Sequence, residues 1–140
     1  MHKLTHTIRL LSLLAAACLP VGLLAEPVLV GGSAFAGQTL SVDEIKAVLM
    51  GKKVTIGNTR VIMLIAKESA AQDTYLTERL GMKTSQFQNL WRRLFMTGGG
   101  SAPMMVDDVA AVVQELNTTA GAVAIIDRAE AEELNVLQAK

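Results

Sequence analysis

Two short stretches of this chain carry the kind of groups that hold a small oxyanion. The first is Ser69-Ala70-Ala71, which follows the apolar run 60–66 and heads a helical pattern. A serine in that place caps the helix, and its hydroxyl and the free first-turn amides of Ala70 and Ala71 can face a ligand beyond the strand end. The second is Thr97-Gly98-Gly99-Gly100-Ser101, glycine-rich enough for successive backbone N–H groups to converge on an anion as a nest. Lys67, Arg92 and Arg93 stand near these stretches in the chain and could add positive charge. Each feature also has a plain structural use: a helix cap, a helix stop and a solvated helix face.

Bond-making chemistry has far less to work with. His2, His6 and Cys18 are the only imidazoles and the only thiol, and all three precede Glu26. A product that begins at Glu26 has neither a Ser-His-Asp nor a Cys-His nucleophile system, and it lacks the usual zinc ligands. The carboxylate pairs Asp43/Glu44 and Asp107/Asp108 sit at helix starts, where negative charge is favoured, and Glu130/Glu132/Glu133 reads as a solvated turn. The chain is therefore expected to be a non-enzymatic protein with no metal and no cofactor.

Residues 1–25 read as an export signal: a basic start with Lys3 and Arg9, an apolar run over 10–24, and Ala25 as the small residue before the cut. Two other readings stay open. The run could remain as an anchor, although it is shorter than a spanning helix and is broken by Ser12, Pro20 and Gly22. Ala15-Ala16-Ala17-Cys18 also resembles a lipid-attachment box, yet 19–24 is still apolar where a polar tether should begin. With cleavage after Ala25 the expected location is the periplasm, with no stable membrane insertion. Formal net charge is zero over the whole chain and turns slightly acidic without Lys3 and Arg9, so no nucleic-acid footprint is indicated.

Residues 26–140 are long enough for one domain with a modest core, and without cysteine its stability must come from apolar burial. Short apolar runs at 27–32, 60–66 and 122–127 are the pattern of strands buried on both faces, and 134–138 could be a fourth. Four helices alternate with them. Ser41 and Glu44 form a capping box for the first, whose apolar face is Val42, Ile45, Val48 and Leu49. Ser69, with Gln72 as reciprocal partner, opens the second. Thr84 or Ser85 opens the third, with Phe87, Leu90, Trp91, Leu94 and Phe95 on one stripe, and Asp107 or Asp108 caps the fourth. The 60–66 strand is expected at the centre. This order predicts an α/β fold: a single three-layer lobe with a mostly parallel sheet of about four strands flanked by helices.

The same pieces, in their order, resemble the phosphate-type substrate-binding proteins of bacterial ABC importers, within the periplasmic binding protein-like superfamily. Residues 41–52 look like that family's helix ending in a Phe-Leu-Gly-Lys type signature. Residues 90–98 resemble its later tryptophan-containing helix, and 121–127 its closing strand. The resemblance spans about 28–138 and implies a periplasmic binding protein type II-like fold in a single-lobe form. It implies an exported solute-binding-like protein that takes phosphate or another small oxyanion, with Ser69, Ala70, Ala71, Thr97, Gly98, Gly99, Gly100 and Ser101 as the binding set. The alternative is a module without a ligand that docks an envelope sensor or transporter. Where the family has a Gly-Ser-Gly-Thr turn, this chain reads Glu68-Ser69-Ala70-Ala71, keeping only the serine.

Overall fold

The computed structural model describes residues 26–138, so the export-signal reading of 1–25 lies outside the described residues. Among the described residues no helix is long and apolar enough to cross a membrane.

The described residues form seven strands and four α-helices in the order β1 (Pro27–Gly31), α1 (Val42–Leu49), β2 (Thr55–Ile56), β3 (Thr59–Arg60), β4 (Ile62–Ala66), α2 (Ala70–Leu80), α3 (Thr84–Met96), β5 (Met104–Val106), α4 (Val109–Thr118), β6 (Ala122–Asp127) and β7 (Asn135–Val136). The main sheet has the strand order β5-β4-β6-β1-β7. β4 pairs in parallel with β5 and β6, while β1 runs antiparallel to both β6 and β7. All strands of this sheet but β1 thus point one way, the mostly parallel arrangement that the alternation of strands and helices predicts. β4 is interior but one place from the edge, and β6 holds the centre.

Alternation along each strand sorts the side chains into two cores. Leu29, Met63, Ile65, Val123 and Ile125 point to the face covered by α1, α2 and α3, where they meet Ile45, Leu49, Leu76, Phe87 and Trp91. Val28, Val30, Leu64, Ala66, Ala124 and Ile126 point to the other face, where Val112 and Leu116 of α4 cover them. A strand buried on both faces needs an unbroken apolar run, and this is why those runs could be read directly. The result is three layers, with helices on both sides of the sheet.

Local chemistry sets the helix ends. Ser41 Oγ accepts from the Glu44 amide at 3.2 Å and the Glu44 carboxylate accepts from the Ser41 amide at 3.4 Å, closing the expected box. The same carboxylate receives Lys53 Nζ at 3.2 Å. The Lys53 hydrogen bond, and then those of Ser41, hold the Glu44 carboxyl below its ordinary pKa. A carboxyl with a depressed folded-state pKa contributes stability above its unfolded value and loses it as pH falls through the folded one. Glu44→Gln is therefore expected to lower the urea midpoint modestly at neutral pH and leave it unchanged in acid, which flattens the acid limb of the midpoint-against-pH profile.

Three differences from the sequence reading have clear causes. Val42 is 63% exposed because it is the first residue of α1, whose buried face begins only at Ile45. Phe95 is 51% exposed; it lies at the margin of the α3 stripe and in its last turn, past the cover of the core. The N-cap of α3 is Lys83 rather than Thr84 or Ser85, since the Gln86 side chain accepts from the Lys83 amide at 2.8 Å and leaves the Thr84 hydroxyl for Asp73 of α2. A fifth strand, β5, also occupies part of the stretch between α3 and α4. Its three residues are too few to show a period.

Candidate functional site

Ser69 lies just past the exit of β4 with extended backbone, 8% exposed, and its Oγ accepts from the Gln72 amide at 3.2 Å. The hydroxyl proton remains available to a ligand. The amides of Ala70 and Ala71 belong to the first turn of α2, where no earlier helical carbonyl can receive them. Only one half of the expected capping box forms, because the Gln72 side chain does not return to Ser69.

Gln72 is 2% exposed and turns instead to the last residue of β4. Its Oε1 accepts from the Ala66 amide at 3.0 Å and its Nε2 donates to the Ala66 carbonyl at 2.9 Å. Nε2 also reaches Thr84 Oγ1 at 3.2 Å. β4 and β6 pair only at Ile62/Ala122 and Met63/Val123. The carboxamide supplies the backbone groups of Ala66 with the partners a neighbouring strand would have offered. A glutamine three residues after a capping serine reads as that serine's partner, so no sequence signal marked this role.

The chain leaves β4 for α2 on one face of the sheet and leaves the adjacent, parallel β5 for α4 on the other. Such a switch of direction opens a crevice at the carboxyl ends of the two strands, where ligands of open α/β sheets bind. Ser69 stands at that crevice. Its walls are drawn together by the Lys67 amide donating to the Val106 carbonyl at 2.8 Å and the Glu68 amide donating to the Asp107 carbonyl at 3.2 Å. Lys67 Nζ meets Asp107 Oδ1 at 3.2 Å across it, with both side chains well exposed. Asp108 caps α4 through Ala111 N at 3.0 Å. Lys67 is thus the cation at this edge, and Glu68, Asp107 and Asp108 are its carboxylates.

The second stretch, Thr97 to Ser101, is not at this crevice. Ser101 Oγ accepts from Arg60 Nε at 3.0 Å, beside the entry of β4 rather than its exit. The whole length of β4, from Ile62 to Ala66, lies between the two stretches, so no single small ion touches both. Nor do its amides form a nest. Those of Thr97, Gly98 and Gly99 donate to the Arg93, Phe95 and Leu94 carbonyls of α3. Gly98, at φ +79°, makes the left-handed turn of a helix C-cap, and its bonding is that of a Schellman motif. Gly100 is buried against the Trp91 ring. The Thr97, Gly98 and Gly99 amides are thus spent on the negative end of a helix dipole, which repels an anion. Arg93 belongs to that same last turn and Arg92 directly precedes it, both far along α3 from the α2 head.

Among the described residues no group of three or more His, Cys, Asp or Glu is placed to hold a metal ion.

These layers and this strand order make an α/β lobe similar to a periplasmic binding protein fold. A solved structure with this fold is the crystal structure of an ABC-type phosphate transport receptor from Vibrio cholerae, which matches with a TM-score of 0.59 at 10% sequence identity. The match covers 81% of this chain and 46% of that one, so the chain spans less than half the receptor's length. No family model matches the chain, and no curated protein matches it.

Proposed function

We propose that the chain is a non-enzymatic, solute-binding-like protein of the bacterial periplasm, exported through residues 1–25, and that it takes a phosphate-like oxyanion weakly at the head of α2. The observation that carries this reading is the place of Ser69: at the exit of an interior parallel strand, beside the switch between β4 and β5, heading an 11-residue helix. A free hydroxyl and the Ala70 and Ala71 amides are the donors. The fold shared with a phosphate transport receptor supports the ligand class. Binding is weak because the donors come from one side only and the carboxylates of Glu68, Asp107 and Asp108 stand nearby.

Millimolar phosphate or sulfate is expected to raise the melting temperature, and Ser69→Ala to abolish the rise. At ten times Kd the gain is roughly 1.4 kcal/mol, about 5 °C for a domain of this size. Asp107→Asn should strengthen binding several-fold in calorimetric titration, because it removes one negative charge and releases Lys67 toward the ion. The carboxylates at the crevice favour a second reading, a module without a ligand that docks an envelope sensor or transporter. Absence of a thermal shift with every oxyanion, in both the parent and Asp107→Asn, would reject the first reading and leave the second.

A further inference from the structure

The two outer layers of the lobe carry opposite charge, and each has a feature the other lacks. On the α1 to α3 side, Lys46, Lys52, Arg79, Lys83, Arg92 and Arg93 outnumber Asp43, Glu44, Asp73 and Glu78. The described chain after Pro103 has one cation, Arg128, against Asp107, Asp108, Glu115, Asp127 and the cluster Glu130, Glu132 and Glu133. The basic side bears a protrusion. Phe95 is 51% and Met96 78% exposed on the last turn of α3. Arg92 shares their face at i, i+3 and i, i+4, and neither Arg92 nor Arg93 makes an ion pair with another described residue. Large apolar side chains between unpaired cations on an outward face mark a contact surface more than a solvated one.

The acidic side bears a recess. A cavity of about 150 Å³ opens between the end of α4 and the turn before β7, lined by Gly32, Leu116, Asn117, Glu133, Leu134 and Asn135. Its floor is partly aliphatic and Glu133 stands at its rim, with Glu132 and Glu130 along the same turn. An acid-rimmed recess of this size complements an aromatic tip flanked by arginines. Both features lie at the end of the sheet where β4 enters, on opposite faces, and away from Ser69.

We propose that copies of this chain associate head to tail, the last turn of α3 of one copy seating in the α4/β7 recess of the next. Such a contact is heterologous, so it repeats into a ring or a short filament instead of stopping at a two-fold dimer. The head of α2 stays open in every copy, which makes this independent of the ligand reading.

Sedimentation equilibrium at low ionic strength is expected to show average mass rising with protein concentration and falling toward the monomer at high salt, where charge pairing is screened. Phe95→Ser with Met96→Ser should weaken the association at least tenfold. Arg92→Glu/Arg93→Glu alone, and Glu132→Lys/Glu133→Lys alone, should each remain monomeric. An equimolar mixture should associate again, because each altered surface then meets its complement. The burial of Trp91 lets its fluorescence confirm that every variant is folded. A parent protein that is monomeric throughout the concentration series would overturn the proposal. So would a mixture that stays monomeric, or single variants that associate like the parent.

Discussion

Gln72→Leu is expected to lower stability by about 3–5 kcal/mol, a large part of what a domain of this size possesses. Leucine is close to glutamine in shape, so packing alone would predict a small change. The loss comes from Ala66, whose buried N–H and C=O both lose their partners at the fork where β4 and β6 part. Each orphaned backbone group costs about 1–3 kcal/mol, and the Thr84 hydroxyl loses a donor as well. Urea denaturation followed by Trp91 fluorescence reads the change, with a melting temperature lower by roughly 12–20 °C.

Gln72→Glu separates hydrogen bonding from shape. At neutral pH its carboxylate can still accept from the Ala66 amide, but it faces the Ala66 carbonyl without a proton and sits buried. Protonation restores a donor and an acceptor together. Burial raises the folded-state pKa of such a carboxyl, so the stability it contributes is present at low pH and lost as pH rises through that pKa. The variant should therefore gain on Gln72→Leu as the solution is acidified. A Gln72→Leu protein as stable as the parent would show that water or a backbone shift satisfies Ala66, and the account of Gln72 as the partner of the β4 end would go with it.

How much of the fold and the site is legible in the sequence depends on how local each cause is. The capping box of α1 needs only Ser41 and Glu44, three residues apart, and it forms as read. The buried strands announce themselves by continuous apolar runs, and Trp91 by its place on the α3 stripe. Gln72 shows where such reading stops. Its spacing from Ser69 suits a cap, but its destination is decided by the divergence of β4 and β6, two strands with α2, α3, β5 and α4 between them in the chain. The Gly98 loop shows the same limit: left-handed glycine serves a nest and a Schellman cap equally, and only the direction of the amides distinguishes them. β5 leaves no periodic trace because three residues define no period, yet the crevice at Ser69 exists only because β5 lies beside β4.

Trp91→Ala is expected to have a comparably large effect, about 3–5 kcal/mol, for a different reason. The indole is fully buried among the residues that join α1 and α3 to the sheet, and its Nε1 donates to the Leu49 carbonyl at 3.0 Å. That bond fastens the end of α1 to the middle of α3. Close by, Leu94 of α3 already packs its side chain against the left-handed Gly51 turn that ends α1. Trp91→Phe keeps most of the volume and loses the donor, leaving the Leu49 carbonyl unmet; about 1–2 kcal/mol is expected for it. Circular dichroism must follow these unfolding curves, since the only tryptophan is removed. Equal losses for Trp91→Ala and Trp91→Phe would mean that the hydrogen bond, and not the filled volume, fastens α1 to α3. A Trp91→Ala protein nearly as stable as the parent would mean that the helical layer closes over the gap.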